Sequence, residues 1–220
     1  MPYEGSMQAG ILFYDSEYNT VNSSTIVSNN GCGVLQYRYS NDNSILNNTI
    51  SKNGGSGINL DNSANGVLNS NFVSENGDGI SLWHSSNCII TDNIVTSNRG
   101  HGIFLYNSRF STLTRNNMTR NRYNFGVDFG AVPVEPINNV DSSNIVNGKP
   151  VYYWVKQHDR QVPADAGYVA IIESENITVS SLSLSENWQS ILLAKTNNSR
   201  IEGITVANNQ IGIYLRSSFG

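Results

Sequence analysis

The chain has 220 residues, a formal charge of −4 and only 14% charged residues. That length can bury one sizeable core, and the charge is too small and of the wrong sign for a nucleic-acid partner. No run approaches the ~20 apolar residues of a membrane span, and Met1–Gln8 lacks the basic head and apolar run of a signal peptide.

Asparagine is the unusual residue: there are 33, with 19 glycines and many Ser and Thr. Such polarity alone would suit a disordered chain. A fixed period in the apolar residues excludes that. A hydroxyl recurs at Ser16, Ser40, Ser63, Ser85, Ser108, Ser174, Thr196 and Ser218, in steps of 22 to 24 with one step of 66.

Five residues before this anchor stand Ile11, Leu35, Ile58, Ile80, Ile103, Val169, Ile191 and Ile213. Three before it stand Phe13, Tyr37, Leu60, Leu82, Leu105, Ile171, Leu193 and Leu215. Five after it come Val21, Ile45, Leu68, Ile90, Leu113, Val179 and Ile201, and ten after it Ile26, Ile50, Val73, Val95, Met118, Leu184 and Val206. Thirteen after it stand Asn29, Asn53, Asn76, Asn98, Asn121, Asn187 and Asn209.

Each repeat thus carries three short alternating segments, which predict strands with one buried face. Asn, Gly and Ser between them supply turn and left-handed conformations. Three strands per repeat of ~22 residues predict an all-β, right-handed, single-stranded parallel β-helix. Coils stack ~4.8 Å apart, so equivalent residues form ladders: apolar ones fill the core, and the asparagines satisfy turn backbone groups.

In chain order, regular coils run over 10–125 and 167–220. Segment 126–166 breaks the pattern and holds Pro133, Pro136, Pro150 and Pro163. Within it, Val151–Val155 reads as a strand and Lys156–Ala166 as a projecting, solvated loop. The 66-residue step equals three times 22, so the whole of 1–220 reads as one decorated solenoid domain. Both ends lack caps, which predicts a piece of a longer repeat protein, or neighbouring repeats or a second copy at the ends.

The units Gly57-Ile-Asn-Leu-Asp-Asn-Ser63, Gly79-Ile-Ser-Leu-Trp-His-Ser85 and Gly102-Ile-Phe-Leu-Tyr-Asn-Ser108 resemble the repeats of the NosD-like family. Asn147-Gly-Lys-Pro-Val-Tyr-Tyr-Trp154 is similar to a segment that interrupts coils in archaeal surface proteins of this type. The resemblance implies the carbohydrate-binding and sugar-hydrolase class. That class includes extracellular polysaccharide-acting proteins, surface-layer proteins and periplasmic accessory proteins for copper-enzyme maturation.

Candidate site residues fall on the outward side of the first strand. Two before the anchor the sequence reads Tyr14, Arg38, Asp61, Trp83, Tyr106, Ile172, Ala194 and Arg216. Beside them lie Asp78, His84, His101 and Phe104. Aromatic faces edged by polar groups suit sugar rings, whose C–H faces stack while their hydroxyls need partners. The same rings could instead cover a strand edge.

Hydrolysis or lyase chemistry wants paired acids and bases on neighbouring coils. Asp61 and Asp78 are the only close pair, in different registers, and make no convincing catalytic set. Asp92 and Arg115 share a register and predict a surface ion pair. Cys32 and Cys88 lie at least ~9 Å apart by coil spacing, beyond disulfide reach, and His84 and His101 do not align as metal ligands. Neither a metal nor a cofactor is expected.

Sequons at Asn22, Asn47, Asn117, Asn176 and Asn197 are compatible with a cell surface. The expectation is a non-catalytic, extracellular or cell-surface module that contacts a polysaccharide or glycan. The runner-up is a polysaccharide hydrolase or lyase, followed by a periplasmic copper-enzyme accessory protein.

Overall fold

The computed structural model describes residues 8–130 and 137–220; segment 1–7, Pro133 and Pro136 lie outside them. Strands Ala9–Tyr14, Cys32–Tyr37, Ile58–Asp61, Ile80–Trp83, His101–Tyr106 and Tyr123–Asp128 pair in parallel as a six-stranded first sheet. A second sheet runs from Thr20–Asn22 to Asn139–Val140. A third runs from Thr25–Val27 through Ile145–Val146 and beyond. The chain visits the three sheets in turn, which is a parallel β-solenoid.

The core follows from the alternation. Ile58, Leu60, Leu68, Ile80, Leu82, Ile90, Val95, Ile103, Leu105, Leu113 and Met118 are fully buried. Turns are built from a left-handed residue followed by a polar one: Asp92 before Asn93, Ser97 before Asn98, His84 before Ser85. The Asn98 side chain accepts from the Asn76 backbone N–H (2.9 Å) and donates to Val73 O (3.2 Å) and Asn121 Oδ1 (2.8 Å). The expected ladder is therefore present from Asn29 through Asn121. A second ladder, Asn48, Asn71, Asn93, Asn116 and Asn144, was not anticipated. Its members are also buried and bonded to the turn backbone.

Two register expectations are corrected. Leu35 and Tyr37 were expected inward, but Val34 and Gln36 take those places, opposite Ile58 and Leu60. The cause is an extra residue in the next turn, where both Arg38 and Tyr39 are left-handed. Counting back from Ser40 slips by one, and a slip of one exchanges faces. Tyr37, not Arg38, shares the outward register of Asp61.

The second correction concerns Ile172 and Ala194, expected outward and found buried. Strand Ile145–Val146 turns through Asn147 and Gly148, both at positive φ, into antiparallel Lys149–Val155. Asn-Gly is the favoured pair for such a hairpin. Strands Tyr168–Ile172, Gln189–Ala194 and Ile211–Arg216 then stack in parallel on Lys149–Val155, extending the third sheet to ten strands.

Both faces of this extension are covered. Tyr168, Ala170, Ile172, Leu192 and Ala194 join the first core, while Val169, Ile171, Ile191 and Leu193 join a second core with Ile177, Val179, Leu182 and Leu184. The expected loop Lys156–Ala166 contains a strand, His158–Gln161, paired with Glu175–Ser180; its four residues are exposed. Arg115 and Asp92 form the expected surface ion pair at 2.7 Å. Cys88 is buried and Cys32 half-buried, and both are free thiols. Among the described residues no helix is long and apolar enough to cross a membrane.

Candidate functional site on the first sheet

The outward face of the first sheet carries three columns. One holds Tyr14, Tyr37, Asp61, Trp83, Tyr106 and Asp128, paired in register across six coils. The middle one holds Leu35, Asn59, Ser81, Phe104 and Gly126. Along the other side lie Asp78, His101 and Tyr123, with His101 opposite Tyr123. Alternation in a strand dictates the first two columns, because residues two apart point the same way.

The expected aromatic pair is present. Trp83 and Tyr106 lie with ring centroids 4.5 Å apart, and Trp83 is 39% exposed. Their spacing is that of the coils. His84, held at a left-handed turn position, projects edge-on to Tyr106 at 5.4 Å. Phe104 is buried and meets Trp83 edge-on at 6.0 Å. His101 stacks on Phe104 at 4.4 Å, so Phe104 forms the floor between the two outer columns.

Asp78 and His101 are brought together. The Asp78 Oδ1 accepts from the His101 backbone N–H at 2.7 Å and lies 3.0 Å from its Nδ1. Burial pushes the Asp78 carboxyl up, but the hydrogen bonds from the His101 ring and backbone outweigh it and hold the group below the ordinary range. In the neutral tautomer whose Nδ1 donates to the carboxylate, Nε2 is an acceptor. That Nε2 is buried and has no hydrogen-bond partner among the described residues; nor does the Asn59 Oδ1 on the same face.

Asp61 stays apart from this pair, beside Trp83 in register. Burial lifts its carboxyl above the ordinary range, against the pull of the Asn62 side-chain amide (2.6 Å) and of His84. The seven expected residues therefore share one face, but only Asp78 and His101 are hydrogen-bonded to each other.

Sequence reasoning missed Trp188. It reaches this face from the second stack and packs on His101 (5.1 Å), Phe104 (5.4 Å) and Tyr123 (6.1 Å). Its backbone N–H donates to Phe125 O at 3.0 Å. A Cβ on Gly126 would lie 2.4 Å from the Trp188 Cβ, so only glycine leaves room. A glycine inside a strand is the signal that another backbone approaches there. Asn59, Tyr37 and Asp128 were also missed: Tyr37 through the one-residue slip, Asn59 because no residue type recurs at its place in the strand, and Asp128 because it lies in segment 126–166, read as breaking the pattern.

The chain can do two things on this face as it stands: stack sugar rings on Trp83 and Tyr106, and offer the carboxyls of Asp61 and Asp78 at the edges; local motion that uncovers His101 Nε2 and Asn59 Oδ1 would add hydroxyl contacts. Among the described residues no group of three His, Cys, Asp or Glu side chains could hold a metal ion.

Comparison with known proteins bears on the architecture. A search of curated proteins found no match at the sequence level. Among solved structures, the catalytic unit of a thermostable GH87 alpha-1,3-glucanase from Streptomyces thermodiastaticus strain HF3-3 is 16% identical with a TM-score of 0.55, over 93% of this chain and 49% of that one. A variant of the periplasmic alginate epimerase AlgG is 16% identical with a TM-score of 0.52, over 90% and 48%. The Agl-KA catalytic domain is 13% identical with a TM-score of 0.50, over 95% and 49%. This chain spans about half the length of each, and at these identities they share its fold alone. The family model for the right handed beta helix region matches residues 4–144. With its stacked parallel sheets and that match over more than half its length, this chain belongs to the right-handed β-helix family.

Proposed function

We propose that the outward face of the first sheet binds a polysaccharide without cleaving it, in a module working outside the cytoplasm. The observation that carries this is the pair of buried, unpartnered acceptors, His101 Nε2 and Asn59 Oδ1, on the same face as the half-exposed Trp83. A buried polar atom without a partner is unfavourable by ~1–3 kcal/mol, and sugar hydroxyls would satisfy both after a local opening, since solvent reaches neither atom in this structure. The glucanase and the periplasmic alginate epimerase support carbohydrate as the ligand class and a periplasmic or surface setting. The likeness of the repeats to NosD-like surface proteins supports the same setting. The exposed Ile213, Leu215 and Phe219 of the last coil support pairing of the ends with further coils or a second copy.

The test is calorimetry with soluble oligosaccharides against the wild type, Trp83→Ala and Tyr106→Ala. Truncating an aromatic at a true contact removes over ~1 kcal/mol, a loss of about fivefold or more in affinity. Equal affinity in all three folded proteins rules out this face.

A hydrolase or lyase is the second reading, favoured by the opposite shifts of Asp61 and Asp78, which divide acid and base roles between two carboxyls. The same oligosaccharides, incubated and assayed for new reducing ends and unsaturated products, separate the readings. Product that disappears in Asp61→Asn or Asp78→Asn would establish catalysis; intact glycan supports binding alone.

A further inference from the structure

We infer, resting on the binding reading above, that the glycan is an uncharged, hydroxyl-rich polysaccharide and not a polyuronate. The chemistry of the face decides this. Of its two buried unpartnered atoms, Asn59 Oδ1 is an acceptor, and His101 Nε2 is one in the neutral tautomer whose Nδ1 donates to Asp78. The charged members of its columns between the Tyr37 coil and the Asp128 coil are carboxyls, Asp61, Asp78 and Asp128, while one cation, Arg122, borders the third column over the Tyr123 ring.

Sugar hydroxyls donate to acceptors. A uronate carboxylate only accepts, so it would meet acceptors and like charges at every coil.

The cations that approach the face are already engaged or stand at its edges. Arg38 bonds the Tyr14 hydroxyl at the far end of the outer column. Arg99 donates to the carbonyls of Asn53 and Gly54. Arg216 donates to Gly130 O, and Arg122 lies 5.3 Å from the Tyr123 ring centroid at the edge of the third column. Lysine is absent from all six strands of the first sheet. Recognition of a carboxylate on each sugar would use cations in the forked geometry of arginine, and the face between Tyr37 and Asp128 offers acids instead. Like-charge juxtaposition is a strong means of rejecting a wrong partner.

The experiment is calorimetry of the intact chain with two probe sets. One holds neutral gluco- and manno-oligosaccharides; the other holds oligo-alginate and oligogalacturonate, which carry a carboxylate on every residue. Both run in EDTA at low and high salt, and again with millimolar calcium. The proposal expects at least one neutral probe to bind more than about tenfold tighter than either uronate at low salt. It expects neutral affinity to be insensitive to salt and the uronate deficit to shrink as salt screens the repulsion. In the double variant Asp61→Asn, Asp128→Asn the ratio should narrow.

Uronate binding as tight as neutral binding, lost in Trp83→Ala, would overturn the substrate class and leave the binding face standing. Uronate binding that appears only with calcium would do the same, with Asp61 and Asp78 acting through the cation. Binding of neither probe set would overturn the substrate class together with the reading beneath it.

Discussion

Asp61 and Asp78 stand on one face, yet the fold treats them in opposite ways. A carboxyl whose folded pKa lies above its unfolded value destabilises the fold when ionised, and the penalty vanishes once it is protonated. Burial places Asp61 in that class. Asp61→Asn should therefore raise the thermal midpoint at pH 7, with the gain fading as pH falls through the carboxylate range. Asp78 lies on the other side: its pKa is lowered, so its contribution is present above the unfolded pKa and lost as pH falls through the folded one. Asp78→Asn should lower the midpoint at pH 7, with the difference fading only as pH falls through the lowered folded pKa, beneath the ordinary carboxylate range. Thermal melts of both variants across that range check the signs; a parallel response of the two would contradict the assigned environments. At this scale the sequence was readable where a residue type recurs. Trp83, Tyr106 and Phe104 could be placed from spacing alone. The Asp78–His101 bond needed coordinates, because spacing shows shared register but not which ring atom faces which oxygen.

The asparagine ladder shows why single turns carry so much of the stability. Asn98, for example, accepts from and donates to the backbone of the preceding coil and donates to the asparagine side chain of the next, so removal strands several polar groups at once. Asn98→Ala should cost ~1–3 kcal/mol in urea denaturation; an unchanged midpoint would mean the turn is satisfied in another way. The ladder at Asn53, Asn76 and Asn98 was legible because it recurs at one offset from the hydroxyl. The equally regular ladder at Asn71, Asn93 and Asn116 was passed over among so many asparagines. At Arg38 and Tyr39 the turn absorbs one more residue than its neighbours, and no composition signal marks it. Gly126 belongs to this scale too. Gly126→Ala would drive a Cβ into Trp188, so it should lower the melting temperature and shift the tryptophan emission. A variant with both signals unchanged would show that Trp188 does not close down on that strand.

For the molecule as a whole, the reversal at Asn147-Gly148 matters most. It lets one strand layer serve two cores, with Tyr168 and Ala170 on one side and Val169 and Ile171 on the other. Strands apolar on both faces, such as Tyr168–Ile172, read as buried without saying against what. The sequence therefore revealed the solenoid and hid the hairpin that turns it. The same reversal carries Trp188 onto the first sheet, completing an aromatic wall whose other members, His101, Phe104 and Tyr123, all come from the first stack. The most direct test is a crystal structure of the chain with a bound neutral oligosaccharide. Sugar rings are expected over Trp83 and Tyr106, with hydroxyls within hydrogen-bond distance of His101 Nε2 and Asn59 Oδ1. Rings seated elsewhere, such as the pocket between Trp154 and Arg160, with the first sheet bare, would contradict that placement.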